Sequence, residues 1–146
     1  MTSPSPPHTS APPASYVPMG DIATGFNAYI GGMLIDRSKA HGEAERYAFA
    51  PGPQHLNGGG ALHGGLLMTL ADTFLGSAVH EAIEGRVCST VVLNTDFLAG
   101  GTADAPVFAT ARITRKTRSL VFVSGELTQK GRVLMTASGI WKVLGA

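Results

Sequence analysis

The polar groups best placed to do chemistry lie close together in the chain. The segment His55-Leu56-Asn57-Gly58-Gly59-Gly60-Ala61-Leu62-His63-Gly64-Gly65 is rich in glycine. Glycine lets a backbone approach a ligand closely. This loop opens onto residues 64–82, the one long helix the apolar pattern predicts. The first turn of a helix carries unpaired N–H groups and partial positive charge. A substrate carbonyl aimed at the N–H of Gly64 or Gly65 would have its developing negative charge stabilised there. The plain alternative is a loop that only joins a strand to a helix.

Asp72 is the sharper signal. It falls about two turns into that helix, at roughly 3.6 residues per turn. Its stripe holds Gly65, Met68, Thr69, Leu75, Gly76 and Val79, a small or apolar face. A carboxylate in mid-helix has poor propensity and costs desolvation when buried, so something should offset it. Two readings stand: an Asp bonded to a neighbouring hydroxyl or backbone group, or a general base or nucleophile in a cleft.

Other chemistries find less support. His55 and His63 stand eight apart without a third ligand at zinc-like spacing, so no metal site is expected. No Gly-x-Ser-x-Gly elbow occurs, and Gly58-Gly59-Gly60 is not followed by Gly-Lys-Ser or Gly-Lys-Thr as a P-loop would require. No cofactor is implied. Cys88, the single cysteine, begins a strand and reads as a small buried apolar residue. Arg112, Arg115, Lys116 and Arg118 form the one basic run. It is either a solvated edge or a contact for substrate phosphates, which Arg binds well.

The elements around these residues form one pattern. A short helix is expected over 21–29 with Asp21 as a possible cap, then strands over 33–38 and 44–49. Pro51-Gly52-Pro53 stops regular structure. The helix over 64–82 is apolar around most of its circumference through Leu66, Leu67, Met68, Leu70, Phe74, Leu75 and Val79, which predicts burial. Strands follow over 87–97, 107–115, 119–128 and 132–144, the last two joined by a turn at Gln129-Lys130-Gly131. In the first of these, Val91, Leu93 and Phe97 should share one face and Thr90, Val92 and Asn94 the other. An α+β fold results, in which one antiparallel sheet wraps a single helix.

The chain of 146 residues suits one domain. Residues 1–16, rich in Pro, Ser, Thr and Ala, read as a disordered tail, and 17–146 as the domain. A formal net charge of +1 argues against a nucleic-acid partner. No apolar run approaches the ~20 residues of a membrane span, and the start lacks a secretory pattern, so a cytoplasmic protein is expected.

The combination of His55-x-Asn57, Leu62-His63-Gly64-Gly65 and Leu70-Ala71-Asp72 resembles the signature of PaaI-type hotdog thioesterases, a group that includes the acyl-CoA thioesterase 13 type. The resemblance runs from about residue 20 to 144. It implies a hotdog fold, hydrolysis of an acyl-CoA, and a homodimer or a homotetramer built as a dimer of dimers. It further implies a site shared by two protomers. There Asn57 orients the water or the thioester, Gly64 donates its N–H to the carbonyl, and Asp72 of the other protomer is base or nucleophile. Thr90 would position the water, with Ser89 beside it. His63 and Gly65 would line the substrate, and Arg115, Lys116 and Arg118 would meet the coenzyme A phosphates. Gly59 stands where members often carry a larger residue, and Thr90 where some carry Ser. The acyl group, aromatic or medium-chain, stays open. Two alternatives remain at this point. One is a hotdog hydratase or dehydratase with His63 as its acid–base. The other is a non-catalytic acyl-CoA binder, for which the carboxylate of Asp72 would have no obvious use.

Overall fold

The computed structural model describes residues 11–20, 22 and 24–146. The expected cap Asp21 and the first ten residues of the expected tail lie outside the described residues. Tyr16, at the end of that expected tail, is buried and donates its hydroxyl to the Glu45 carbonyl at 2.5 Å.

A single eight-stranded antiparallel sheet packs against one long helix, the hotdog arrangement. In chain order the elements are β1 Val17–Pro18, α1 Gly25–Ile30, β2 Met33–Ile35, β3 Tyr47–Phe49, α2 Gly64–Ala82, β4 Cys88–Phe97, β5 Val107–Ala109, β6 Arg112–Lys116, β7 Leu120–Gln129 and β8 Arg132–Val143. The sheet runs β1-β2-β3-β5-β7-β8-β4, with β6 also paired to β7. A 3₁₀ turn, Pro53–His55, sits where the sequence predicted only a stop. His55 is buried there: its Nδ1 accepts the Gly52 N–H at 2.9 Å, so Nε2 donates to the Ile30 carbonyl, also 2.9 Å away. That places His55 in a structural role.

Helix α2 has the bounds the pattern predicts, but it is not buried all round. Leu66, Leu67, Leu70, Phe74, Leu75 and Val79 are buried against the sheet, whereas Met68 and Asp72 are exposed. Leu75 and Val79, counted with the Asp72 stripe in the sequence reading, turn toward the sheet. Burying a Leu, Phe or Val side chain contributes about 1.5–3 kcal/mol. Gly and Asp inside a helix cost at most about 1 kcal/mol each, so the buried face decides that this segment is helical despite Asp72 and Gly76.

Four strand expectations change. The two early strands shorten to 33–35 and 47–49. The strand expected over 107–115 is two strands, and at the break the Thr110 carbonyl lies close over Gly125, where a Cβ would stand 2.1 Å from it. In β4 a bulge between Thr90 and Val92 breaks the alternation. Thr90 pairs with Trp141 and Leu93 with Gly139, two residues apart on β8. Thr90 therefore shares the helix-facing side with Leu93, not the outer side with Val92 and Asn94. Bulges re-aim side chains in this way.

Candidate active site

The edge strand β4 and the open flank of α2 bound the site. The Thr90 hydroxyl, turned inward by the bulge, donates to Asp72 Oδ1 at 2.7 Å. Both line a cleft of about 560 Å³ with Ser89, Cys88, Gly76, Ser77, His80, Asn27 and Trp141. Burial, and then the Asp72 charge, push the Cys88 thiol above its usual range. A thiolate nucleophile is disfavoured in that environment.

The N-terminus of α2 forms a second cluster. His63 is the N-cap, and its Nδ1 accepts the Gly65 N–H at 2.8 Å. Of the two N–H groups the sequence offered for a carbonyl, Gly65's is therefore taken. Gly64's N–H has no partner among the described residues. The Phe97 ring, at the far end of β4, flanks Gly64; a Cβ there would stand 3.4 Å from it. Asn57 Oδ1 accepts the N–H groups of Gly59 at 2.9 Å and Ala61 at 3.1 Å, which ties the loop into a tight hairpin. The Asn57 amide donors have no partner among the described residues.

These clusters do not meet within one chain. Gly64 and Asp72 are eight residues apart on a straight helix, about 12 Å along its axis at 1.5 Å per residue. Asn57, His63, Gly64 and Gly65 do not line the Asp72 cleft. The basic run is elsewhere again. Lys116 Nζ donates to the Ala82 carbonyl at 2.8 Å, where it caps the C-terminus of α2. Arg115 and Arg118 are exposed and have no partner among the described residues. Among the described residues no group of three or more His, Cys, Asp or Glu could hold a metal, and no helix is long and apolar enough to cross a membrane.

The sequence reading did not single out Asn27 or Trp141. Asn27 Oδ1 accepts the Thr73 hydroxyl at 3.3 Å, which ties α1 to α2 at the cleft. Trp141 lies directly across from Thr90. It is the only tryptophan of the chain, a signal that was available without the fold.

Residues 59–136 match the thioesterase superfamily, and the chain belongs to it. Acyl-coenzyme A thioesterase 13 of Mus musculus is 31% identical over 86 residues, 59% of this chain and 61% of that protein. The PaaI protein of E. coli, from the phenylacetic acid degradation operon, is similar in structure with a TM-score of 0.64 at 25% identity, covering 68% of this chain and 72% of its own. A Bacillus halodurans protein solved with CoA has a TM-score of 0.64 at 26% identity over 67% of this chain and 66% of its own. The chain spans about half to two thirds of the length of the curated relatives it matches.

Proposed function

We propose that this chain hydrolyses the thioester of an acyl-CoA, aromatic or medium-chain, to the free acid and coenzyme A. The observation that carries the reading is the Asp72 carboxylate, held at 2.7 Å by the Thr90 hydroxyl in an open cleft of a thioesterase-superfamily chain. The mouse thioesterase and the CoA-bound Bacillus structure support CoA as the carrier.

In this reading the thioester carbonyl accepts the free Gly64 N–H, and the Asn57 amide orients the water or the thioester. Asp72 of a second copy takes the water proton as the oxygen bonds to the carbonyl carbon, or attacks that carbon itself. The carbon–sulfur bond then breaks: in the first route the leaving thiolate takes the proton held by Asp72, and in the second water hydrolyses the acyl–Asp72 anhydride left behind, giving the free acid, the restored carboxylate and the proton for the thiolate. The second copy is needed because Asp72 and Gly64 stand too far apart in one. It also has an apolar surface to cover: Met68, Val91, Phe97 and Leu98 are exposed around the edge strand β4, which pairs only with β8. A homodimer, or a homotetramer of two such dimers, would complete the site.

The test is a screen of the purified protein over a panel of acyl-CoA esters, with released thiol as the readout. Turnover of aromatic or medium-chain esters is expected; no thiol release across the panel would sink the reading.

Arg115 and Arg118, with Lys116 beside them, would meet the coenzyme A phosphates. Arg118→Glu should raise KM roughly 2–5-fold with little change in kcat, because exposed charge pairs are worth up to about 1 kcal/mol and this contact is equal in ground and transition states. A collapse of kcat at constant KM would remove the phosphate role from this turn.

A further inference from the structure

The indole of Trp141 is 3% exposed, yet its Nε1–H has no hydrogen-bond partner among the described residues. Tryptophan N–H groups usually find one when buried. Nor is Nε1 among the polar atoms sealed from solvent without a partner. The opening it keeps is the Asp72 cleft, which Trp141 lines. Its surroundings are built to leave it open. Gly76, on the cleft wall, has no side chain, and a Cβ there would stand 3.2 Å from Nε1. Gly139 makes room for the far edge of the ring: a Cβ there would stand 2.5 Å from Cζ3.

We infer that Trp141 is a specificity residue, whose Nε1–H donates to a neutral oxygen on the acyl group of the substrate. The inference rests on the proposed thioester chemistry only in placing the acyl group in this cleft. Indole N–H is a donor and never an acceptor, so the complementary substrate atom is an acceptor. Asn27 points the same way: its Oδ1 is occupied by Thr73, which leaves its amide donors. A carboxylate on the acyl group would face Asp72 in the same cleft and be repelled, so the oxygen is that of a hydroxyl or a keto group. Gly76 lies one turn beyond Asp72, about 6 Å along the helix axis. The oxygen is therefore several bonds from the reacting carbonyl.

The test uses pairs of non-hydrolysable acyl-CoA thioethers that differ only by one such hydroxyl or keto oxygen. Binding to the parent protein is followed by calorimetry and by the fluorescence of Trp141, the sole tryptophan. The oxygenated member should bind roughly tenfold tighter, the worth of one hydrogen bond with an otherwise unpaired buried donor. It should also shift the emission more than its partner does. Two variants should erase the preference within each pair: Trp141→Phe, which removes the donor, and Gly76→Ala, which covers it. Gly76→Ala gains helix propensity, which offsets the tight 3.2 Å contact of its Cβ with Nε1, and a melting curve verifies that each variant is folded. Equal affinities within every pair in the parent would overturn the inference, as would an undiminished preference in both folded variants. Binding does not depend on turnover. A preference without hydrolysis would keep the role of Trp141 and refute the hydrolase reading; hydrolysis without a preference would do the reverse.

Discussion

Asp72→Asn is expected to lower kcat for acyl-CoA hydrolysis by roughly 10²–10⁴-fold, the range that general-base catalysis contributes. Water at neutral pH is a poor nucleophile, so a group must take its proton or attack in its place. Four other acidic residues are otherwise engaged. Glu81 pairs with Arg46 and His41, Asp104 with Lys130, Asp36 with Ser38, and Glu45 accepts the Thr128 hydroxyl. Asp72 is the acidic residue that lines the cleft. The substitution keeps the side-chain shape and an oxygen that can accept from Thr90. Asp72 is exposed in the protomer, so nothing in the core depends on its charge. The melting temperature should hold or rise, since active-site carboxylates are often kept at a cost to stability. A thiol-release assay and a melting curve beside the parent protein check both parts. Near-parental turnover by a folded variant would remove Asp72 from the chemistry, and a binding protein or a dehydratase would then explain the cleft better.

The residues in this argument differ in how far the sequence alone reveals them. Helix α2 was legible to its ends because a long apolar segment after a glycine loop has few other ways to bury itself. Asp72 and the helix-opening Gly64 stand out in the sequence by type and position, and Asn57 through the family resemblance; the roles given to them belong to the proposed function. The direction of Thr90 was not legible. Strict alternation along β4 puts it on the outer face, and only the pairing with β8 shows the bulge that turns it inward. The split between β5 and β6 is hidden for a similar reason: the close approach of the Thr110 carbonyl at the break is to Gly125, on another strand. The engagement of the Gly65 N–H by His63 depends on a ring orientation that residue spacing does not encode. Trp141 falls inside the strand expected over 132–144, where its type alone gives it no role. Its partnerless N–H becomes visible only when β8 is laid beside β4 and α2. Local pattern reports which elements form. The facing of side chains across strands is decided by residues distant in the chain, and most of the site's geometry belongs to that second kind.

Two inactive variants mixed so that their subunits re-pair are expected to regain about one quarter of parental activity, as symmetric homodimers with shared sites require. The variants are Asp72→Asn and Asn57→Asp. The second keeps a side-chain oxygen to accept the Gly59 and Ala61 N–H groups, so the loop keeps its bonds while the amide donors are lost. Each variant alone should be nearly inactive, since removing one oriented donor at a reacting carbonyl typically costs about 10²–10³-fold. In a mixed dimer one site combines both substitutions. The other combines Asn57 of one subunit with Asp72 of its neighbour, and both are native. Random re-pairing makes about half of all dimers mixed, each with one intact site of two. The expectation follows from the separation along α2 and from the absence of Asn57 and Gly64 from the Asp72 cleft of their own chain. The measurement is thiol release after joint unfolding and refolding, or after co-expression, with native mass spectrometry to verify mixed dimers. A mixture that forms mixed dimers yet stays as inactive as its components would place both residues in a site within one chain. Asn57 would then have to reach Asp72 of its own chain by movement of the loop at 55–63, and not through a second subunit.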